Sequence, residues 1–319
     1  MSTFREKAGA LFHDWLPFEL RLRRGWTRIC NRDERVDIDA SGVRCDWRWT
    51  SDLHIARVFP PAGLRLMRTA FAQWPIAFAD DVPRHERPRV SFIIGHRGLE
   101  RLPHLLKTIR SIAGQRDAAV ECIVVEQAEA QQAREHLPAG VRYVHTPVPV
   151  SLPYCRSSAF NAGAHHARGD VLILHDNDIV VPRDYAAAAA NSIDAGCDFA
   201  NLIRFLFYLR STDVTFDAPP ERVVQNTQGG SIVACRNAYF DIGGYDEGFI
   251  GWGGEDNDFW DRAATRSVQR HGSVPMIHLQ HPPQPEKALG DAAPAVARYR
   301  ELETISPAER IARLKGSLP

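Results

Sequence analysis

The sequence has no excess of charge of either sign. Its 319 residues include 39 lysines and arginines against 39 aspartates and glutamates, which gives a formal net charge of zero. Nucleic-acid-binding domains carry an excess of basic side chains, so this balance argues against nucleic acid as a partner. Hydrophobic residues make up 44% of the chain, which excludes disorder of the whole chain and allows a large core.

Long hydrophobic runs and paired cysteines are also missing. No stretch approaches the ~20 apolar residues of a membrane span, and residues 1–7 lack the apolar core of a signal peptide. The six cysteines are scattered without a C-x-x-C pair, which argues against a cysteine zinc site and favours reduced thiols. We therefore expect a cytoplasmic protein with no transmembrane segment, and peripheral contact with the inner face of a membrane stays open.

The first 85 residues are predicted to form an N-terminal extension of unassigned role. Tryptophan is dense there, at positions 15, 26, 47, 49 and 74. Side-chain alternation over Val43–Trp49 predicts a strand, and apolar spacing over Arg65–Trp74 predicts a helix. The predicted division of the chain is an extension over 1–85, a domain over 86–285 with halves at 88–182 and 183–285, and a helical tail over 286–319.

Apolar runs and amphipathic segments alternate after a proline-containing linker at 80–89. The apolar runs are Val90–Gly95, Val120–Val125 and Val141–Val144, and the first amphipathic segment is Leu99–Ala113. This alternation predicts an α/β fold with a parallel sheet and crossover helices. Ligands bind at the carboxyl ends of such strands, which puts Gly95, Arg97 and Glu126 on the ligand side. The alternative for Glu126 is an acid that merely ends a strand.

An Asp-x-Asp sequence interrupts a further apolar run, Val171–Pro182. In an extended chain, residues i and i+2 point the same way, so Asp176 and Asp178 are expected to share one face. Two converging carboxylates repel each other unless a cation lies between them, and hard divalent ions take carboxylate oxygens. The alternative is a polar turn between two strands.

A glycine-rich loop, Gly243–Gly254, runs into a segment with helical spacing. Three acids, Glu255, Asp256 and Asp258, lie in the first turn of that predicted helix. A helix N-terminus favours negative charge, so the alternative to a catalytic role is helix stabilisation. Gly229 and Gly230 precede the apolar run Ile232–Cys235, where they permit close approach of a ligand to the backbone.

Two histidines end a short predicted strand, Val274–Pro282. Residues i and i+3 of an extended chain point to different faces. We therefore expect one of His278 and His281, rather than both, to be a metal ligand. The alternative is a histidine that is satisfied by structural hydrogen bonds.

Three segments, taken in order, resemble the GT-A-fold glycosyltransferases of the family-2-like bacterial type with a galactosyltransferase-type C-terminal region. Val90–Gln127 resembles their nucleotide-binding half. Arg156–Asp178 contains Asn161-Ala162-Gly163 and Asp176-Asn177-Asp178, which are similar to their Asn-x-Gly segment and Asp-x-Asp metal motif. Gly251–Asp258 resembles their Gly-Trp-Gly-Gly-Glu-Asp-Asp-Asp signature, with Asn257 in place of one Asp. The resemblance covers about residues 88 to 285.

The resemblance implies a mostly parallel mixed sheet flanked by helices, a nucleoside-diphosphate sugar donor (a UDP-sugar in most members) and a divalent metal, Mn²⁺ before Mg²⁺. It assigns the metal to Asp178, with Asp176 near the ribose or the metal and His278 or His281 completing the ligands. The implied donor residues are Gly95, Arg97, Glu126, Arg156, Asn161, Asp176, Gly229 and Gly230. The implied acceptor residues are Trp252, Gly253 and Gly254.

For the chemistry, the expected base is Asp256, with Glu255 as the second choice, and a base opposite the leaving group implies inversion. The expected acceptor is a saccharide or a glycolipid. The segment Ile94–Arg97 departs from the usual first-strand loop of the family, which leaves the nucleobase contacts open. Three alternatives remain, namely an inactive nucleotide-sugar- or glycan-binding module, a sugar nucleotidyltransferase, and a metallohydrolase.

Overall fold

The computed structural model describes residues 3–40, 42–44, 50–282 and 285–316. The α-helices are α1 Phe4–His13, α2 Trp15–Arg24, α3 His54–Val58, α4 Pro60–Gln73, α5 Leu102–Ala113, α6 Arg156–His166, α7 Tyr185–Asp194, α8 Arg236–Asp241, α9 Glu255–Ala263, α10 Pro294–Leu302 and α11 Pro307–Gly316. The strands are β1 Ile38–Asp39, β2 Gly42–Arg44, β3 Ser51–Asp52, β4 Val90–His96, β5 Val120–Ala128, β6 Arg142–Pro147, β7 Val171–His175, β8 Ile179–Val180, β9 Phe199–Ala200, β10 Ile203–Tyr208, β11 Arg222–Gln225, β12 Ser231–Cys235, β13 Val268–Gln269, β14 His271–Gly272 and β15 Val274–His278.

A seven-stranded mixed sheet with the order β13-β9-β12-β7-β4-β5-β6 forms the centre of the molecule. Strands β7, β4, β5 and β6 are mutually parallel, and β12 is antiparallel to both β7 and β9. Every residue of β4, β5 and β7 is buried, because helices cover both faces of the sheet. The predicted α/β fold with a mostly parallel sheet flanked by helices is confirmed.

Strands form at the predicted apolar runs, and they extend beyond the predicted ends. The predicted strand at Val120–Val125 extends to Ala128, and the run at Val90–Gly95 extends to His96. The predicted helix at Arg65–Trp74 is the C-terminal part of α4. Of the strand predicted over Val43–Trp49, residues 45–49 lie outside the described part of the chain.

A second sheet, with the order β3-β11-β10-β15-β8, carries the other part of the site. Its inner residues Phe205 and Phe207 share one hydrophobic core with Phe18, Trp26 and Leu66 from the N-terminal 85 residues. Strand β3 also pairs with β11, and β2 pairs with β14. The N-terminal extension therefore packs on this sheet and contributes strands to the fold.

The C-terminal helices α10 and α11 pack on α9. Arg310 of α11 donates to Asp258 Oδ1 at 2.8 Å and to Asp261 Oδ2 at 3.0 Å. Asp258 also accepts from Arg262 at 2.9 Å, and the three side chains of Asp258, Arg262 and Arg310 are buried. A buried carboxylate with two guanidinium partners makes the tail part of the packed structure. Among the described residues, no helix combines the length and the apolar character that crossing a bilayer requires.

Candidate functional site

Asp178, His278 and His281 bring three potential metal-ligand atoms within 4.8 Å of one another. Asp178 lies in the turn between β7 and β8, and His278 is the last residue of β15. The antiparallel register of β15 and β8 pairs His278 with Ile179, directly after Asp178. His278 Nε2 lies 3.8 Å from Asp178 Oδ1, and His281 Nε2 lies 3.1 Å from Asp178 Oδ2.

The premise that His278 and His281 point to different faces is wrong, because both rings lie against Asp178. That premise assumed an extended chain through His281, whereas β15 ends at His278. Leu279 N donates to Asp178 O at 2.9 Å, and His104 Nε2 lies 2.8 Å from Gln280 O. These contacts hold residues 279 and 280 in place beside Asp178 and His104, and both imidazole rings reach the Asp178 carboxylate.

The hydrogen bonds of the two rings suit a metal. His278 Nδ1 lies 2.8 Å from Leu279 O, and His281 Nδ1 lies 2.6 Å from Pro282 O. A carbonyl oxygen only accepts, so each Nδ1 carries a proton and each Nε2 is the ring atom that faces Asp178. Metal-binding histidines in proteins have this arrangement. With a metal bound, each Nε2 would present a lone pair to it beside the Asp178 carboxylate, so the donor set fits a divalent ion.

Asp178 is kept ionised by its surroundings. Burial raises the pKa of its carboxyl, but the charge of His278, the hydrogen bond from His281 and the charge of Arg101 together hold the pKa below the ordinary value. Arg101 Nη1 donates to Asp178 Oδ2 at 3.4 Å. The sequence reasoning did not identify Arg101, because nothing in its local pattern separates it from other surface arginines of that helical segment.

Asp176 has different partners from Asp178. The chain turns at Asn177 and Asp178 instead of continuing the strand, so the extended backbone that the prediction assumed is absent and the two carboxylates have different partners. Arg156 Nε donates to Asp176 Oδ1 at 2.8 Å, and Asp176 N donates to Gly230 O at 2.9 Å. Burial raises the pKa of Asp176 to about 6, with Arg156 opposing this rise and Asp178 adding to it. Asp176 is not part of the group formed by Asp178 and the histidines.

Arg156, at the first position of α6, connects Asp176 to Glu255 and Asp256. We call the segment from Trp252 to Asp256, which includes the end of the glycine-rich loop and the start of α9, the acidic loop. Arg156 Nη1 donates to Asp256 Oδ1 at 2.8 Å and lies 3.6 Å from Glu255 Oε1. Its guanidinium also lies 4.6 Å from the centroid of the Phe160 ring. One partly buried cation therefore lies among three carboxylates, which lowers their mutual repulsion.

The glycine-rich loop gives α9 an abrupt start. Gly254 precedes the helix with a left-handed backbone, φ 87°, which favours glycine. Glu255, Asp256 and Asp258 then lie in the first turn of α9, as the spacing predicted.

Asp256 has one oxygen engaged and one near the backbone of Gly229. Its Oδ1 accepts from Arg156 and from the Tyr245 hydroxyl, the latter at 2.7 Å. A Cβ added to Gly229 would lie 2.1 Å from Asp256 Oδ2, so glycine at 229 makes room for this oxygen. Tyr245 was not predicted as a site residue, because an aromatic side chain in a glycine-rich loop packs in a core as often as it lines a site.

Glu255 is a partly buried acid with an elevated pKa. Burial and the charge of Asp256 raise the pKa of Glu255 to about 7, and Arg156 opposes the rise. Glu255 Oε2 accepts from Gly253 N at 3.1 Å. Glu255 therefore titrates near neutral pH, at the edge of a cavity.

That cavity, of about 430 Å³, opens beside the acidic loop. Six of the residues that line it were predicted as site residues, namely Gly229, Trp252, Gly253, Gly254, Glu255 and Asp256. Its remaining wall includes Val296, Tyr299, Arg300 and Glu303 of the C-terminal segment. These four residues were not predicted as site residues, because 286–319 was expected to form a helical tail. The Lys287 ammonium lies 5.6 Å from the centroid of the Trp252 ring.

Three of the predicted donor residues have structural partners in this chain. Both oxygens of the buried Glu126 accept from backbone amides of residues 132 and 133, and Tyr143 also donates to it. A Cβ at Gly95 would lie 2.1 Å from the Tyr154 hydroxyl, so glycine is needed there for packing. Arg97 Nη1 donates to Leu152 O at 2.6 Å.

Asn161, a fourth predicted donor residue, supports the loop that carries Tyr245. Its Nδ2 donates to Tyr245 O at 2.9 Å and to Glu247 Oε1 at 2.8 Å, and its Oδ1 accepts from Tyr245 N at 2.9 Å. Asn161 thereby fixes the position of Tyr245, which donates to Asp256. It acts on the acidic loop through this contact.

Two family models match overlapping parts of the chain. The model described as glycosyl transferase family 2 matches residues 99–241, and the model described as the N-terminal domain of galactosyltransferase matches residues 214–282. Together they extend over more than half of the 319 residues. No curated protein sequence matches the chain.

Three solved structures are distantly similar to this one. GalNAc-T7 with UDP, GalNAc and Mn²⁺ has 15% identity and a TM-score of 0.48. The match covers 62% of this chain but only 45% of that chain. The mannosyltransferase PcManGT from Pyrobaculum calidifontis, with GDP-Man and Mn²⁺, has 15% identity and a TM-score of 0.44, covering 81% and 82%. Drosophila β1,4-galactosyltransferase 7 with xylobiose has 16% identity and a TM-score of 0.36, covering 60% and 71%. At these scores, the likenesses support no conclusion about the chain.

Proposed function

Because the chain is a family-2-like, galactosyltransferase-type protein of the GT-A class, we propose that it is a metal-dependent glycosyltransferase. It moves a sugar from a nucleoside-diphosphate donor, a UDP-sugar, to a hydroxyl group of a glycan or glycolipid. The observation that carries this proposal is the pair of adjoining clusters, Asp178 with its two histidines and Arg156 with the acids of α9. The turn at 176–178 connects them.

The metal in this proposal is Mn²⁺, held by Asp178, His278 and His281. Imidazole nitrogens beside a carboxylate suit a transition ion better than Mg²⁺, which prefers oxygen ligands and keeps several waters. A bound divalent ion supplies positive charge that stabilises the departing diphosphate. Arg101, 3.4 Å from Asp178 Oδ2, adds fixed positive charge on the same side.

Asp256 is the proposed base that accepts the proton of the attacking hydroxyl. Arg156 and Tyr245 donate to its Oδ1, which orients the carboxylate. Its Oδ2 is then the oxygen that takes the proton, beside Gly229. A base on the face opposite the leaving group gives inversion at the sugar carbon.

The acceptor in this proposal occupies the cavity beside the acidic loop. Trp252 offers an apolar ring face for stacking against a sugar. Glu255, with its pKa near 7, donates to or accepts from an acceptor hydroxyl. Gly229 and Gly230 permit the donor sugar to approach the backbone between the two clusters.

A thermal-shift panel of nucleotide sugars, with and without Mn²⁺, tests this function. We expect one nucleotide-sugar class to raise the unfolding temperature only when Mn²⁺ is present. Transfer is then assayed with that donor and a set of saccharide acceptors. Donor binding without any transfer to an acceptor or to water would favour the inactive binding module, and release of pyrophosphate from a nucleotide and a sugar phosphate would favour the nucleotidyltransferase. Hydrolysis independent of any sugar acceptor would favour the metallohydrolase.

A further inference from the structure

The outer faces of α1 and α2 expose large apolar side chains. Of the eleven large hydrophobic residues that are exposed in the described part of the chain, five lie between positions 4 and 20. They are Phe4, Leu11, Phe12, Leu16 and Leu20, with exposed fractions of 88%, 51%, 78%, 63% and 47%. Exposed aromatic and leucine side chains at such density mark an interaction surface.

Helical spacing puts these side chains together on each helix. Leu11 and Phe12 follow Phe4 by seven and eight residues, so the three share one side of α1. Leu20 follows Leu16 by four residues, so both lie on one side of α2. We call these residues the outer face.

The opposite sides of the same helices provide the packing. Ala10 of α1 is 1% exposed, and Phe18 and Leu22 of α2 are buried in the core shared with β10. The fold therefore already accounts for the inner residues of the two helices. The outer residues contribute little to that core, so their apolar character needs another explanation.

The outer face is also basic. Arg5, Lys7, Arg23 and Arg24 are exposed, and within the described residues no ion pair involves any of these four. The two acids on the helices are occupied locally, since Glu6 accepts from Thr3 N in the cap of α1 and Glu19 pairs with Arg65. Aromatic and leucine side chains beside unpaired cations are the composition of helices that lie in the headgroup region of a membrane.

We propose that the outer face of α1 and α2 docks on an anionic lipid surface, with the apolar side chains in the interface and the cations on lipid headgroups. The positive charge selects this occupant over a second copy of the chain. A two-fold interface through the same face would bring Arg5, Lys7, Arg23 and Arg24 close to their own copies, and like charges oppose such pairing. Docking stands independently of the proposed sugar transfer, although it would bring the site to a lipid-borne acceptor.

Sedimentation of the full chain with lipid vesicles tests the docking. Vesicles of phosphatidylcholine alone are compared with vesicles that also contain phosphatidylglycerol. We expect binding to the anionic vesicles only, and weaker binding as salt is raised, because surface charge is screened. Equal binding to both kinds of vesicle, or none to either, would overturn the proposal.

Two pairs of substitutions separate the apolar and the basic parts. Phe12→Ser with Leu16→Ser is expected to reduce binding on the order of ten-fold through lost apolar burial. Arg23→Glu with Arg24→Glu is expected to reduce it by more, since each lost cation alone costs roughly five-fold.

The matched controls are Val150→Ser for apolar exposure and Arg84→Glu with Arg87→Glu for charge, all at exposed positions outside the outer face. Both controls should bind like the wild type. Unfolding temperatures of all variants check that each one folds. If the controls lose binding equally, or if light scattering shows a dimer that Phe12→Ser dissociates, the face serves another partner and the proposal fails.

Discussion

Arg156 is the side chain around which the acids of the site are arranged. It contacts Asp176, Asp256 and Glu255, which come from the β7–β8 turn and from the start of α9. Burial opposes the charge of Arg156, but these carboxylates together raise the pKa of its guanidinium well above the ordinary value. It stays charged and orients Asp256, whose second oxygen faces Gly229.

Replacing the proposed base tests this arrangement at the level of single atoms. Asp256→Asn keeps the shape of the side chain but cannot accept a proton, so transfer should fall by at least about 100-fold. Nucleotide binding with Mn²⁺ should remain, because Asp178 and the histidines are untouched. Tyr245→Phe removes one hydrogen bond to Asp256 and should cost about ten-fold or less. Steady-state rates and nucleotide titrations measure both effects, and near-normal turnover in Asp256→Asn would rule this base out.

The pH dependence of stability tests the environment of Glu255. Its pKa is about 7 in the folded protein against an ordinary value of 4.5. The folded state therefore binds this proton more tightly than the unfolded chain, and the wild type loses stability as pH rises from about 4.5 to about 7. Glu255→Gln removes this loss.

We expect Glu255→Gln to be more stable than the wild type at pH 8 by roughly 1 to 3 kcal/mol. The difference should shrink toward pH 5, where the wild-type carboxyl is protonated. Urea unfolding at the two pH values measures it, with Glu86→Gln in the exposed linker as the control. A difference that is the same at both pH values would mean that ionisation of Glu255 is not its source.

Several site residues could be predicted from the sequence, but the contacts between them could not. Glu255, Asp256 and Trp252 were predicted from the glycine-rich loop, and all three line the cavity. Asp176 and Asp178 were predicted to act together, yet a turn sends them to different partners. A two-residue spacing fixes relative direction only where the strand continues, and strand continuation depends on sheet pairing that is distant in sequence.

The elements of the fold differ in how clearly the sequence predicts them. Strands β4, β5 and β7 are buried on both faces, so each is a continuous apolar run. Helix α11 gives a weaker signal, because it combines the partly buried Ile311, which packs on the core that includes Phe259 of α9, with ionic contacts to Asp258 and Asp261. Its fully buried residue is Arg310, and arginine is a residue type that is mostly exposed in proteins, so its burial could not be inferred from the sequence.

The ion pair between α11 and α9 is therefore the contact whose removal tests the role of the tail. Arg310→Ala leaves the buried Asp258 with Arg262 alone and leaves Asp261 with the Tyr299 hydroxyl as its remaining partner. Breaking one partner of a buried pair should cost roughly 3 kcal/mol. Since α10 lines the cavity, weaker acceptor use should accompany the lower stability. Urea unfolding measures the loss, with the exposed Lys315→Ala as the control; equal midpoints for the two variants would show that the tail is not part of the packed structure.

At the scale of the whole molecule, the site depends on two sheets that meet. The seven-stranded sheet ends β7 at the turn that carries Asp178, and the five-stranded sheet ends β15 at His278. The pairing of β15 with β8 joins the two at the metal-ligand group. Residues from the N-terminal extension complete the core behind the second sheet, so the position of the histidines depends on the whole chain.

Calorimetric titration of UDP into the protein, with and without Mn²⁺, tests the central claim most directly. We expect binding by the wild type to require Mn²⁺, and Asp178→Ala and His281→Ala each to weaken it by at least about ten-fold. Asp217→Ala, at a carboxylate that is 93% exposed, should bind like the wild type. UDP affinity that is the same without Mn²⁺, or unchanged in both ligand variants, would contradict a metal-dependent nucleotide site at Asp178, His278 and His281.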